Sequence, residues 1–418
     1  MSQTDTAALV KSLVPTTRGS DVLLRPLDAR RDAADNLRSM GPAGAPYAEA
    51  LAGRMDDRNP DWQRKSASVL EWMGKEGALA LARKLSHRDY LVRRSAMEGL
   101  AAMSDDGAAA LSAALGGDLA GGPENGAREC AAQALSWMGP RGRRVLIDRC
   151  EDPRPEVRLA AVRGLGHTAR ESTSRGSSAP AARDSTPRGA PTPATSPRLF
   201  GEGVEHLSAL ARRLQDTEPG VRSAAADVLQ SSGADGAAAL GRAFQATSAP
   251  SQAFADQALR GMGSDGAETL AEVLRSRDAN ARRRAAAALQ SMGQAAAKAL
   301  VPRLADDCAG VRRRAAETLE QLLSGGGLGL EEVHAAAEAL EKRIDDPDHW
   351  VRAASARALE RGLLVDSAPL EADHRERLAT AMAGRVQDRS RPVRRSVARA
   401  LASRGTRQSA DAAAVDAT

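Results

Sequence analysis

The feature that most narrows the possible folds is a string that returns down the chain. Val157-Arg158-Leu159-Ala160-Ala161-Val162-Arg163-Gly164-Leu165 has counterparts in Val311 to Leu319 and Val351 to Leu359, each with a leucine seven residues after an arginine. Taking that arginine as the register mark gives Arg30, Arg93, Arg128, Arg158, Arg222, Arg282, Arg312, Arg352 and Arg394, with Gln63 and Gln252 in its place in two further copies. The commonest interval is 30 residues, and longer ones carry insertions. Thirty residues are a helix pair, too short to bury its own apolar face, so copies must stack on one another. Composition agrees: 42% of the chain is apolar but only 2% aromatic, which suits many thin alanine-rich layers better than one large core.

Each copy has two helical patterns. In the first, exemplified by Ala267 to Leu274, Leu270 and Leu274 fall on one face. In the second, Arg282 to Met292, the residues Ala285, Ala286, Leu289 and Met292 repeat at helical spacing, and the alanines let backbones approach closely. Leu-x-x-Met-Gly ends the second helix, as in Leu70 to Gly74 and Leu259 to Gly263, with glycine expected to supply a left-handed closing residue. An aspartate stands six residues before the register position at Asp57, Asp152, Asp216, Asp306, Asp346 and Asp388. It is expected to accept N–H groups where the second helix starts and to pair with the register arginine of its own or the next copy. The expected structural ladder therefore comprises Asp152, Arg158, Asp216, Arg222, Asp306, Arg312, Asp346, Arg352, Asp388 and Arg394.

These elements, recurring together and in order, resemble HEAT-type repeats, in particular the short variety of the phycobilisome-lyase-like group. The resemblance implies an all-α fold: an α-solenoid, or HEAT/armadillo-like superhelix, of about eleven helical hairpins in two blocks. The expected organisation is a flexible N-terminal segment (1–27), a first block (28–167), a disordered linker (168–201), a second block (202–405) and a disordered tail (406–418). The linker assignment rests on a stretch rich in Ser, Thr, Pro and Arg with almost no aliphatic residues to bury.

Catalytic patterns are sparse. The six histidines are scattered, and Glu332/His334 and His374/Glu376 are each two apart, pointing to different helix faces. Gly261-Met262-Gly263-Ser264-Asp265-Gly266 spells a dinucleotide-binding string but follows a helix rather than a strand. Three cysteines match no disulfide framework or zinc site, which favours free thiols. No apolar run is long enough to span a membrane. A cytoplasmic protein without cofactor is the expectation.

Candidate contacts come from charge and tryptophan. Arginine supplies most of the basic residues of a chain with formal net charge +5, and it clusters as Arg282-Arg283-Arg284 and Arg312-Arg313-Arg314. Aligned copies would form a ridge, either neutralised by neighbouring acids or free for an acidic partner. Trp72 and Trp137 occupy the same repeat position, where other copies have small residues, and are expected to be exposed anchors or fillers of widened intervals. Trp62 and Trp350 are expected to pack.

The reading that follows is a non-catalytic protein-binding scaffold, using its second-helix, concave face, with Trp72, Trp137, Arg283, Arg284, Arg313 and Arg314 as contacts. The repeat resemblance implies a bilin lyase subunit as the enzymatic alternative. A nucleic-acid-binding array is a further alternative, disfavoured because basic and aromatic residues do not alternate.

Overall fold

A computed structural model describes residues 36–56, 60–118, 125–174, 204–246, 249–363 and 372–402. Among them there is no strand; the described residues form helical hairpins. Contacts divide the chain into two compact units, Met1–Ser231 and Ser232–Thr418.

The first unit contains α1 (Ala48–Ala52), α2 (Pro60–Leu70), α3 (Gly74–Arg83), α4 (Tyr90–Ala102), α5 (Asp105–Gly116), α6 (Asn125–Trp137), α7 (Pro140–Arg149), α8 (Pro155–Ser174), α9 (Val204–Arg213) and α10 (Pro219–Ser231). The second contains α11 (Gly233–Phe244), α12 (Ala249–Gly261), α13 (Ser264–Val273), α14 (Ala279–Gln290), α15 (Gln294–Arg303), α16 (Ala309–Gly325), α17 (Leu330–Glu341), α18 (His349–Leu363), α19 (Ala372–Ala383) and α20 (391–402). Odd-numbered helices are the first members of their pairs and even-numbered ones the second. In each unit the layers stack as the repeat requires: α8 packs on α6 and α10, and α16 on α18, while α13 packs on α11 and α15.

The periodic apolar positions are the core. Leu270 and Leu274 of the first pattern and Ala285 and Leu289 of the second are 0–1% exposed, whereas Ala286 and Met292 are only half-buried. A pair isolated from its neighbours would expose these faces, so burial is shared between layers.

The link between pairs needs glycine twice. Gly263 closes α12 with φ 59° and ψ −121°, positive φ as anticipated but outside the left-handed helical region, in territory that L-residues avoid. Three residues on, a Cβ at Gly266 would lie 1.9 Å from the carbonyl oxygen of Leu259. The dinucleotide-like string is thus a tight inter-pair turn followed by a close approach of helix to helix.

Packing of α8 on α10 carries the first unit's stack across the long insertion. The linker assignment itself, like the terminal segments, Arg30 and Asp57, falls outside the described residues. The copy that opens the second unit has Ala246 for aspartate and Gln252 for arginine.

Candidate functional site

The turns between first and second helices carry one construction. Arg158 forks onto Asp216 of the following copy, its Nε and Nη2 each 2.7 Å from a carboxylate oxygen. Arg312 does the same to Asp346 at 2.8 Å twice, and Arg352 to Asp388 at 2.9 and 3.0 Å. The third nitrogen, Nη1, donates back to the arginine's own turn. In Arg312 it reaches the carbonyls of Asp306 and Asp307 at 2.9 and 3.0 Å. The same inward contact recurs at Arg222 and Arg394. One guanidinium thereby fastens its own turn and the next, using the planar multidentate geometry that arginine alone offers.

Each ladder aspartate also accepts the N–H two residues on, as Asp346 does from Asp348 at 2.9 Å. That closes an Asx-turn and does not cap the second helix, contrary to expectation. The cap belongs to a different aspartate nearer the helix: Asp278 accepts from Asn280 and Ala281, and Asp348 from Trp350 and Val351. Ladder position and cap position are two residues apart, so one side chain cannot serve both.

The carboxylates are tuned accordingly. Burial alone would push Asp216 and Asp346 up, but the arginine forks and the turn N–H outweigh it and hold both below the ordinary carboxylate range. Asp388 is held down chiefly by Arg352, against its burial. At Asp152 the arginine of its own turn, Arg154, is the main reason the carboxyl sits at about 2. The Asp306 rung also differs, because Arg275, not Arg282, reaches it, at 2.7 Å.

A second arginine, three residues before each ladder aspartate, escaped the sequence reading. Arg213 reaches back to Glu151 of the preceding copy at 2.7 Å, Arg385 to Asp345, and Arg303 to Glu272 at 2.8 Å. The signal was present as a recurring Arg-x-x-Asp at 149–152, 213–216, 303–306, 343–346 and 385–388.

The second-helix face of the first unit is built differently. Between α4 and α6 runs a groove lined by Tyr90, Arg94, Met97, Glu98, Gln133 and Trp137. Arg94 and Glu98, paired at 2.8 Å, also wall the adjoining groove between α2 and α4, together with Leu91. Tyr90 is 61% exposed, Leu91 45% and Trp137 36%. Trp72 is 52% exposed, with the Arg38 guanidinium 4.8 Å from its ring centre. Beside it, burial pushes the Glu71 carboxyl up to about 7, with Arg38 opposing the shift.

The arginine clusters are not a free ridge. Arg282 and Arg312 bind their own turns. Arg284 donates to the Phe244 carbonyl at 2.9 Å and lies over its ring. Arg313 and Arg314 share Glu317, and Arg313 also covers Trp350, 5.0 Å away. Arg283 alone of the six is exposed with no partner among the described residues. Trp350 is 44% exposed rather than packed, since it sits at the N-terminal end of its helix with the Arg313 guanidinium over its ring and the neighbouring His349 ring 4.9 Å away. The side chain of Trp62 lies outside the described residues.

The three cysteines are free, and burial pushes the Cys150 thiol up to about 12. No helix among the described residues is long and apolar enough to cross a membrane, and no group of three metal-ligating side chains occurs among them.

Residues 267–360 match the family model of HEAT repeats. No curated protein matches the chain. Among solved structures, it is similar to an engineered protein at 18% identity and TM-score 0.28, over 95% of this chain and 98% of that one. It is also similar to the karyopherin Kap121p, crystallised with the extreme C-terminus of the phosphatase Cdc14p, at 13% identity and TM-score 0.35, and to importin beta at 14% and 0.30. Here it spans about half the other chain, 46% and 51%, while 95–96% of this one is covered. Scores this low transfer no cargo and no partner.

Proposed function

We propose that this chain, whose residues 267–360 match HEAT repeats, serves as a non-catalytic protein-interaction scaffold in the cytoplasm, its second-helix face receiving the partner. The observation that carries this reading is the pair of open grooves across α2, α4 and α6, where Tyr90, Leu91 and Trp137 stand exposed beside a paired Arg94 and Glu98. Large aromatics at a groove are the side chains that anchor protein interfaces. Arginine sites elsewhere are largely spent on the ladder or on internal acids, so an acidic partner is engaged chiefly through Arg283. Trp72, flanked by Arg38, extends the aromatic surface.

The test is affinity capture with the full chain and with a Trp72→Ala/Trp137→Ala variant. A specific partner should be retained by the parent and lost from the variant; an identical set of captured proteins contradicts this reading. Incubation with a bilin and an acceptor phycobiliprotein, yielding a coloured adduct, would replace this reading with the lyase alternative. Binding to DNA or RNA that weakens steeply with salt would replace it with the nucleic-acid alternative.

A further inference from the structure

Two histidines that the sequence separates by forty residues meet in the second unit, on the first helices α17 and α19. The ring centroids of His334 and His374 are 5.5 Å apart, with their planes inclined at 64°. His374 is 6% exposed and His334 half-buried. In both rings Nε2 is closed off from solvent and lacks a hydrogen-bond partner. One orphaned imidazole nitrogen is an ordinary packing imperfection, but two on neighbouring rings are a different matter, because each carries a lone pair or a proton that water would otherwise satisfy.

A shared ligand would answer both. Two imidazoles bound through nitrogen to one tetrahedral metal at about 2.0–2.1 Å have centroids roughly 5 Å apart, close to the separation found. Neutral imidazole is the donor that suits zinc and its neighbours in the first transition row. We propose that His334 and His374 form a two-histidine site for a divalent transition metal of the zinc type, clasping α17 to α19. No third His, Cys, Asp or Glu stands near enough among the described residues to make a protein-only set, so water that enters with the ion fills the remaining positions. The half-exposed His334 marks the side of entry. The clasp spans two adjacent layers, as the ladder rungs do at the other end of these pairs, but it is conditional on the metal.

The experiment is a calorimetric titration of ZnCl2 into the full chain and into His334→Gln, His374→Gln and His349→Gln. The parent and His349→Gln should show the same tightest zinc equivalent, and the other two variants should bind it at least about tenfold more weakly. Equal affinity in all four proteins overturns the proposal and leaves the pair as an edge-to-face ring contact. Because a glutamine could disturb packing, the parent is also examined by nitrogen-detected NMR of its imidazoles. One equivalent of zinc should move the Nε2 resonances of His334 and His374 first; movement confined to other histidines rejects the site.

Discussion

The stretch from Asp306 to Arg394 and the stretch from Gln63 to Trp137 are made from the same repeat and spend it differently. In the first, every turn has its aspartate and every second helix its register arginine, and the forks run from copy to copy. In the second, Gln63 replaces an arginine, and His87 and Gly122 stand where aspartates would be. Arg93 keeps the inward contact, to the carbonyls of His87 and Arg88, and in place of an aspartate of the next copy it meets the Cys130 thiol. Stacking there relies on fully buried Leu70, Met73, Leu81, Leu100 and Leu111 and on short 3-10 segments at Glu71–Met73 and Lys84–Ser86. The grooves with exposed aromatics lie in that second stretch. Where copies are locked by charge, the register arginines are engaged in the lock; where the lock is missing, the surface carries exposed aromatic side chains, the ones we propose for a partner.

The largest expected effect separates the two stretches by stability. Asp346→Ala leaves the fork of Arg312 buried without its acid and should cost about 3–5 kcal/mol in urea unfolding, whereas His87→Ala, at the equivalent position, should cost no more than about 0.5 kcal/mol. Equal losses would erase the distinction. Next comes binding. Trp137→Ala should weaken a captured partner by about 2 kcal/mol.

Acid sharpens the contrast, because the two stretches respond with opposite sign. The ladder carboxylates Asp306, Asp346 and Asp388 are depressed, so their contribution is present above about pH 4 and is lost as pH falls through their lowered values. Glu71 is raised from 4.5 to about 7, so the folded state holds more protons than the unfolded one between those values and stability drops as pH climbs through them. Glu71→Gln should therefore raise the melting temperature at pH 8 and change nothing at pH 4. A gain at both would mean that packing, not charge, governs the site. The smallest effect is at Arg283, where a change to glutamate should alter stability by less than about 0.5 kcal/mol and act only on an acidic partner.

Much of this was legible in the chain itself, for a physical reason: in a repeat protein each layer makes the same contacts, so periodicity announces what packs. Leu270, Leu274, Ala285 and Leu289 were readable as core, and the Asp/Arg register as a ladder. What repetition could not reveal was direction. The aspartate was expected to meet the arginine of its own or the next copy, yet Asp346 takes Arg312 of the preceding one, because the offset between layers, which spacing does not carry, sets the direction. The same offset hid the meeting of His334 with His374, whose partners by sequence, Glu332 and Glu376, lie on other faces. Of the two readings open for the arginine clusters, the neighbouring layers favour an engaged ridge: Phe244 of the layer before takes up Arg284, and Arg313 turns to Trp350 of the layer that follows.

The central claim is that a register arginine ties its own turn to the following one. The most direct measurement is a double-mutant cycle on Arg312 and Asp346, with unfolding free energies of the parent, Arg312→Ala, Asp346→Ala and the double variant. Interlayer pairing predicts a coupling of about 1–3 kcal/mol, the double variant losing less than the sum of the singles; simple additivity would contradict it.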